Sequence, residues 1–124
     1  MSSTYVKRHT VPATTTSDGT ATVYTPAVTG RVLQIRYVKT DFDDGVDVVV
    51  TLETTGLAVL TEANVNASVT FVPRQATHDV NGDGLTYDGT RPQTDFVYVA
   101  NERVQIFVKS GGNTKTGTFY VWIG

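Results

Sequence analysis

The chain has no cysteine. That absence removes a disulfide framework, a thiolate nucleophile and any sulfur-ligated zinc site, and it leaves the redox compartment undetermined. Histidine is almost missing as well, at His9 and His78 only. A catalytic histidine needs an orienting carboxylate and a nearby nucleophile. His78 beside Asp79 supplies adjacency alone, and neighbours on an extended chain point to opposite sides. No GxxxxGK[ST], HExxH or GxSxG occurs, so the phosphate-cradling, zinc-hydrolase and serine-nucleophile signatures are all absent and no enzyme activity is expected. Excess positive charge is lacking too. A net charge of -2 and a pI near 5.5 argue against direct nucleic-acid binding, which draws on clustered Lys and Arg. No apolar run is long enough to cross a bilayer, and MSSTYVKRHTVPATTTSDG holds no apolar signal core, so the expectation is a soluble product of the cytoplasm with no membrane partner.

Valine and threonine dominate what remains. Both are β-branched and stiff at χ1, which suits pleated strands. The 124 residues fit one domain. Strand-like runs recur between turn signals at 20–25, 31–39, 47–55, 57–60, 68–73, 95–100, 103–109 and 117–124. That spacing predicts an all-β, single-domain β-sandwich of jelly-roll-like kind over residues 20–124. Leu33, Ile35 and Tyr37 alternate with Gln34 and Arg36, giving one buried and one wet face. Val48, Val49 and Val50 are contiguous, which predicts cover on both sides. In the last run Phe119, Val121 and Ile123 alternate with Tyr120 and Trp122, so one face reads as core and the other as an interface. DFDDG (41–45) and SGGN (110–113) are expected to be hairpin turns.

Residues 1–19 are rich in Ser and Thr with little apolar content and read as an extended N-terminal arm. Two readings of it stand together. It either orders on a neighbour through Tyr5, Val6 and Val11, or is a frayed terminus. DVNGDG (79–84) resembles the first half of a calcium loop, with Asp79, Asn81 and Asp83 at alternate positions. The twelfth position, however, is Thr90, where a bidentate carboxylate is required. Turn formation accounts for these residues without a metal, because Asn-Gly and Asp-Gly adopt positive φ cheaply. No cofactor, calcium included, is expected. Asp41, Asp43, Asp44 and Asp47 could pair as ligands or as acids for sugar hydrolysis, but like-charged acids in a short loop are ordinarily solvated. Tyr87, Tyr98, Tyr120 and Trp122 offer flat faces for a sugar, which keeps a carbohydrate-binding module as an alternative.

The stretches ATVYTP, GRVLQIRYVK, GVDVVVTLETTG, FVPRQATHD and NERVQIFVKSGGNTKTGTFYVWIG resemble those of the decoration, or head cement, proteins of tailed bacteriophages. The resemblance runs over roughly residues 20–124 and consists of strands and turns rather than catalytic signatures. It implies a structural virion protein on the outer capsid surface, stabilising contacts between major capsid protein subunits, with a phage tail or adsorption component that contacts host glycans as the alternative. It also implies that the major capsid protein is the partner, with a homo-oligomer, dimer or trimer, beside it. Under that reading the arm and Arg74 serve as anchors, since arginine pairs with carboxylates through two parallel bonds.

Overall fold

In the computed structural model, which describes residues 6–124, every regular element is a strand. They are β1 (Lys7–Thr14), β2 (Ala21–Lys39), β3 (Val46–Leu52), β4 (Ala58–Val65), β5 (Val69–Phe71), β6 (Arg74–Ala76), β7 (Thr94–Lys109) and β8 (Thr116–Ile123). All pairs are antiparallel, in the order β1-β8-β2-β7-β3-β4, with β5 added to β2 and β6 to β7. The first half of β2 pairs with β7, and its second half pairs with β8 and β5. The sheet therefore folds over along β2, and its two halves form the layers of a sandwich. Inward residues from both layers share a single core. The all-β sandwich expected from sequence is the fold observed.

The count of eight strands is reached by a different division of the chain. The candidates at 20–25 and 31–39 are one strand, β2, and those at 95–100 and 103–109 are another, β7. What read as punctuation is a set of bulges, with register shifts between Tyr24 and Ala27, between Val28 and Gly30, and between Val32 and Gln34. A bulge bends a strand and adds twist, which is what a fold-over requires. Pro26 brings no N–H to the ladder. Beside it the buried Thr25 hydroxyl accepts from the Val104 amide at 3.0 Å and donates to the Pro26 carbonyl at 2.9 Å, bridging the gap. Gly30 at φ 144° sits where a Cβ would come within 3.2 Å of the Gly124 carbonyl and the Ile123 side chain, so the bend closes tightly only on glycine. Leu33 is the extra residue of the third bulge, so it is half-buried, while Ile35 and Tyr37 enter the core.

The arm expectation changes over Lys7–Thr14, which pairs along its whole length with β8. Val11 and Ala13 lie in the core. Isolated, this segment has too few apolar residues to fold; added to a preformed edge it needs only two. Tyr5 lies outside the described residues.

Neither expected hairpin exists. β7 lies between β2 and β3, and β2 lies between β7 and β8, so DFDDG and SGGN cross from one layer to the other. The loop between β1 and β2 crosses at the same end. The three are tied together by Asp43 N to Gly111 O (3.0 Å), Gly111 N to Gly19 O (2.9 Å) and Thr15 N to Lys115 O (2.8 Å). Phe42 plugs this end. Its ring is buried 6.1 Å from that of Tyr37, which in turn stacks on Phe119 at 5.3 Å. β3 is covered on one side only: Val48 and Val50 are buried, whereas Val49 is half-buried and sits opposite Phe107 on the outer face.

The Tyr37 hydroxyl is buried and has no hydrogen-bond partner among the described residues. Burial, then the nearby Asp44 charge, pushes its pKa up to about 12. An unpartnered buried hydroxyl carries a desolvation cost of about 1–3 kcal/mol. Tyr37→Phe is therefore expected to leave the protein unchanged or stabilise it by up to ~1 kcal/mol, measured by urea denaturation. A loss of stability would show that the hydroxyl has a partner in solution.

Candidate functional site

β8 is the second strand of its layer and alternates strictly. Phe119, Val121 and Ile123 point into the core, and Tyr120 and Trp122 point out. The two outward rings are 6.1 Å apart and tilted by 43°. Register fixes their neighbours. Arg8 of β1 and Gln34 of β2 flank Trp122, while Thr10 and Arg36 flank Tyr120. The Arg8 guanidinium lies 4.8 Å from the Tyr120 ring centre, a cation–π arrangement. Arg36 donates to the Thr70 hydroxyl at 2.9 Å.

The same outer surface continues onto β7, because Val97, Val32 and Ile123 stand side by side pointing inward. Residues adjacent to them therefore point outward together. Arg31 pairs with Tyr98, and Arg74 pairs with Phe96. Phe96 lies under two guanidiniums, Arg74 at 5.0 Å and Arg31 at 5.7 Å. Arg74 is further held by Nε to the Thr94 hydroxyl and a terminal nitrogen to the Thr94 carbonyl, both 3.2 Å. Arg31 Nε donates to the Gly124 carbonyl at 3.0 Å. Asp95 is at the rim of the surface, accepting from the Phe96 amide at 2.7 Å and the Tyr98 hydroxyl at 3.2 Å.

Of the residues singled out from sequence, Tyr98, Tyr120, Trp122 and Arg74 share this surface. Val6 is exposed just before β1. Val11 is a core residue at 4% exposure and is unavailable to any partner, because its side of β1 faces the opposite layer. Arg8, Arg31, Arg36 and Phe96 were not singled out. The signal was faint: the alternation around Gln34 and Arg36 marks a wet face, but which strands lie beside it depends on long-range register.

The other candidates do not converge. Asp79 Oδ1 accepts from the Asn81 amide at 2.9 Å and the Asp83 amide at 3.0 Å, closing a turn. Asp88 accepts from the Thr90 and Arg91 amides and from Arg91 Nε. The bonds from Arg91 and Thr90 hold it below the usual carboxylate range. Asp41 accepts from the Thr116 amide and hydroxyl, which lower its pKa. Asp44 pairs with Lys39, and Asp47 accepts from the Asn64 amide at 3.0 Å. No group of three His, Asp or Glu among the described residues is placed to hold a metal ion. Tyr87 lies apart from Tyr120 and Trp122, on the 77–93 protrusion, under the Arg91 guanidinium at 5.4 Å.

A cavity of about 230 Å³ opens between β1 and β2, lined by Lys7, His9, Ala27, Val28, Thr29 and Ile123. Burial first, then the Lys7 charge, lowers the His9 pKa below 6.5. A base with a depressed folded-state pKa takes its proton first in the unfolded chain. Stability is therefore highest above the unfolded value and falls as pH drops through about 6.5, levelling below the folded pKa. Melting temperature is expected to decline between pH 7.5 and 5.5 in the native chain and to decline less in His9→Gln. Parallel curves would exclude His9 as the cause.

No family model matches the chain, and no curated protein matches it. Among solved structures it is similar to a subunit in the cryo-EM structure of the virus-like particle of extra small virus from the giant freshwater prawn Macrobrachium rosenbergii. The match has 7% identity, covers 98% of this chain and 80% of that one, and has a TM-score of 0.37. Nothing about this chain's role follows from so distant a likeness.

Proposed function

We propose that this chain is a structural virion protein that decorates the outside of a bacteriophage head and clamps contacts between major capsid protein subunits. The observation that carries the reading is the outward surface around Tyr120 and Trp122, where aromatic rings and guanidiniums lie together on the outer side of a sheet. Such a surface suits adhesion, because large rigid rings and planar guanidiniums give contact area at low entropic cost. The resemblance of the strand and turn segments to head cement proteins points the same way. A protein that binds only the assembled shell stabilises it by its binding free energy at each site, and repetition over the lattice multiplies a modest contact.

Heads lacking the protein, incubated with the purified chain, are expected to take up many copies and to resist higher temperature before losing DNA. Full occupancy with no gain in resistance would refute the clamp. A sugar-binding role has one specific observation in its favour, the adjacency of the Tyr120 and Trp122 rings. Binding on a glycan array that is lost in Trp122→Ala would select that alternative.

A further inference from the structure

We infer that the outer surface formed by β1, β8, β2 and the start of β7 docks onto a carboxylate-rich protein surface, read by the guanidiniums of Arg8, Arg31, Arg36 and Arg74. The inference rests on the reading of this surface as the docking side of a capsid-attached protein, and it names the chemistry of the partner.

Of the six arginines in the chain, these four share one surface. The other two, Arg91 and Arg103, are ion-paired with Asp88 and Glu53. Among the described residues none of the four has a carboxylate partner. Twelve Asp and Glu are available in the chain, so this segregation is not a shortage of acids. The single acid at the rim, Asp95, is occupied by the Phe96 amide and the Tyr98 hydroxyl.

Each guanidinium is already oriented. Arg8 lies on Tyr120, Arg31 and Arg74 lie on Phe96, and Arg36 is bonded to Thr70. A planar fork held on a ring loses little entropy when it takes a carboxylate through two bonds. The four strands span about 15 Å from β1 to β7 at a spacing of roughly 4.8 Å per pair, a width suited to a patch of several carboxylates.

Carboxylates are favoured over nucleic acid because bases bind sheets by stacking on bare rings, and here Tyr120 and Phe96 are covered by guanidiniums.

Trp122 is the only tryptophan, so its emission reports on this surface directly. The purified chain is titrated with poly-L-glutamate and, separately, with oligo(dT) of matched charge, at low and high salt. Poly-L-glutamate is expected to perturb Trp122 emission with an affinity that weakens at least tenfold on raising salt. Arg8→Gln/Arg36→Gln, checked for an unchanged melting temperature, is expected to bind at least tenfold more weakly, and Arg8→Lys/Arg36→Lys to recover only part of the loss. Should the Gln variant fail to fold, Arg74→Gln, at an exposed position, reads the same effect. No response to poly-L-glutamate, an undiminished response in the variants, or tighter binding of oligo(dT) would each overturn the inference. Self-association abolished by the same substitutions would reassign the surface to a second copy. Uptake by heads that is indifferent to these arginines defeats this inference alone. Arginine-dependent binding of poly-L-glutamate without uptake by heads defeats the virion reading alone.

Discussion

Phe42→Ala is expected to lower the unfolding free energy by about 3–5 kcal/mol, the range for removing a buried aromatic ring. The ring is 2% exposed and stacks near Tyr37. It also fills the space over Gly117, where an added Cβ would come within 2.5 Å of the ring. The void left by alanine is bounded by three crossing loops tied by backbone hydrogen bonds, so it has little freedom to collapse. Gly117→Ala perturbs the same contact from the other side, by overpacking, which typically costs about 1–3 kcal/mol. The two substitutions together are expected to cost less than their sum, because the methyl group enters the space vacated by the ring. Chemical denaturation of both single variants and the double variant checks this. Strict additivity would mean that Phe42 and Gly117 are not in contact.

Glu102→Ala is expected to cost about 1.5–3 kcal/mol, the range for removing hydrogen bonds to a charged group, because it takes the buried carboxylate away from the amides of the exposed Thr54–Thr55 turn. The carboxylate, in a residue 7% exposed, accepts from the Thr54 amide at 2.8 Å, the Thr55 amide at 3.0 Å and the Thr55 hydroxyl. It thereby closes the turn between β3 and β4 from the middle of β7. Glu102→Gln keeps an acceptor oxygen and is expected to recover roughly half the loss, because hydrogen bonds to a neutral group are about half as strong. Amide hydrogen exchange at Thr54 and Thr55 reports the mechanism. Both should lose protection in the alanine variant, and unchanged protection would mean that the turn holds without Glu102.

Much of the fold was legible because strands write their faces locally. In β8 the alternation of Phe119, Val121 and Ile123 with Tyr120 and Trp122 named the core side and the outward side correctly, since side chains on a strand alternate by geometry alone. The errors arose where one residue type serves two uses. Pro26 and Gly30 end strands in most settings, yet here they form bulges that keep β2 running between layers. Asn101, at φ 50°, does the same within β7. Phe42 was hidden among aspartates, in a loop that looked like solvent-facing turn material. The outward surface was legible in fragments only. Tyr120 and Trp122 could be named, but Arg8 lies 114 positions from Trp122 in the chain and meets it only through the β1–β8 register.

The amino-acid sequence by itself determined that this is a one-domain β protein without thiol chemistry or a recognisable catalytic motif, because composition and two-residue periodicity are local properties. The tertiary structure decided which strands are neighbours, that residues 7–14 complete a sheet, and that four guanidiniums gather on one side with no carboxylate partner among the described residues. Those facts depend on pairing between distant segments, where a shift of one residue would turn every side chain to the opposite face.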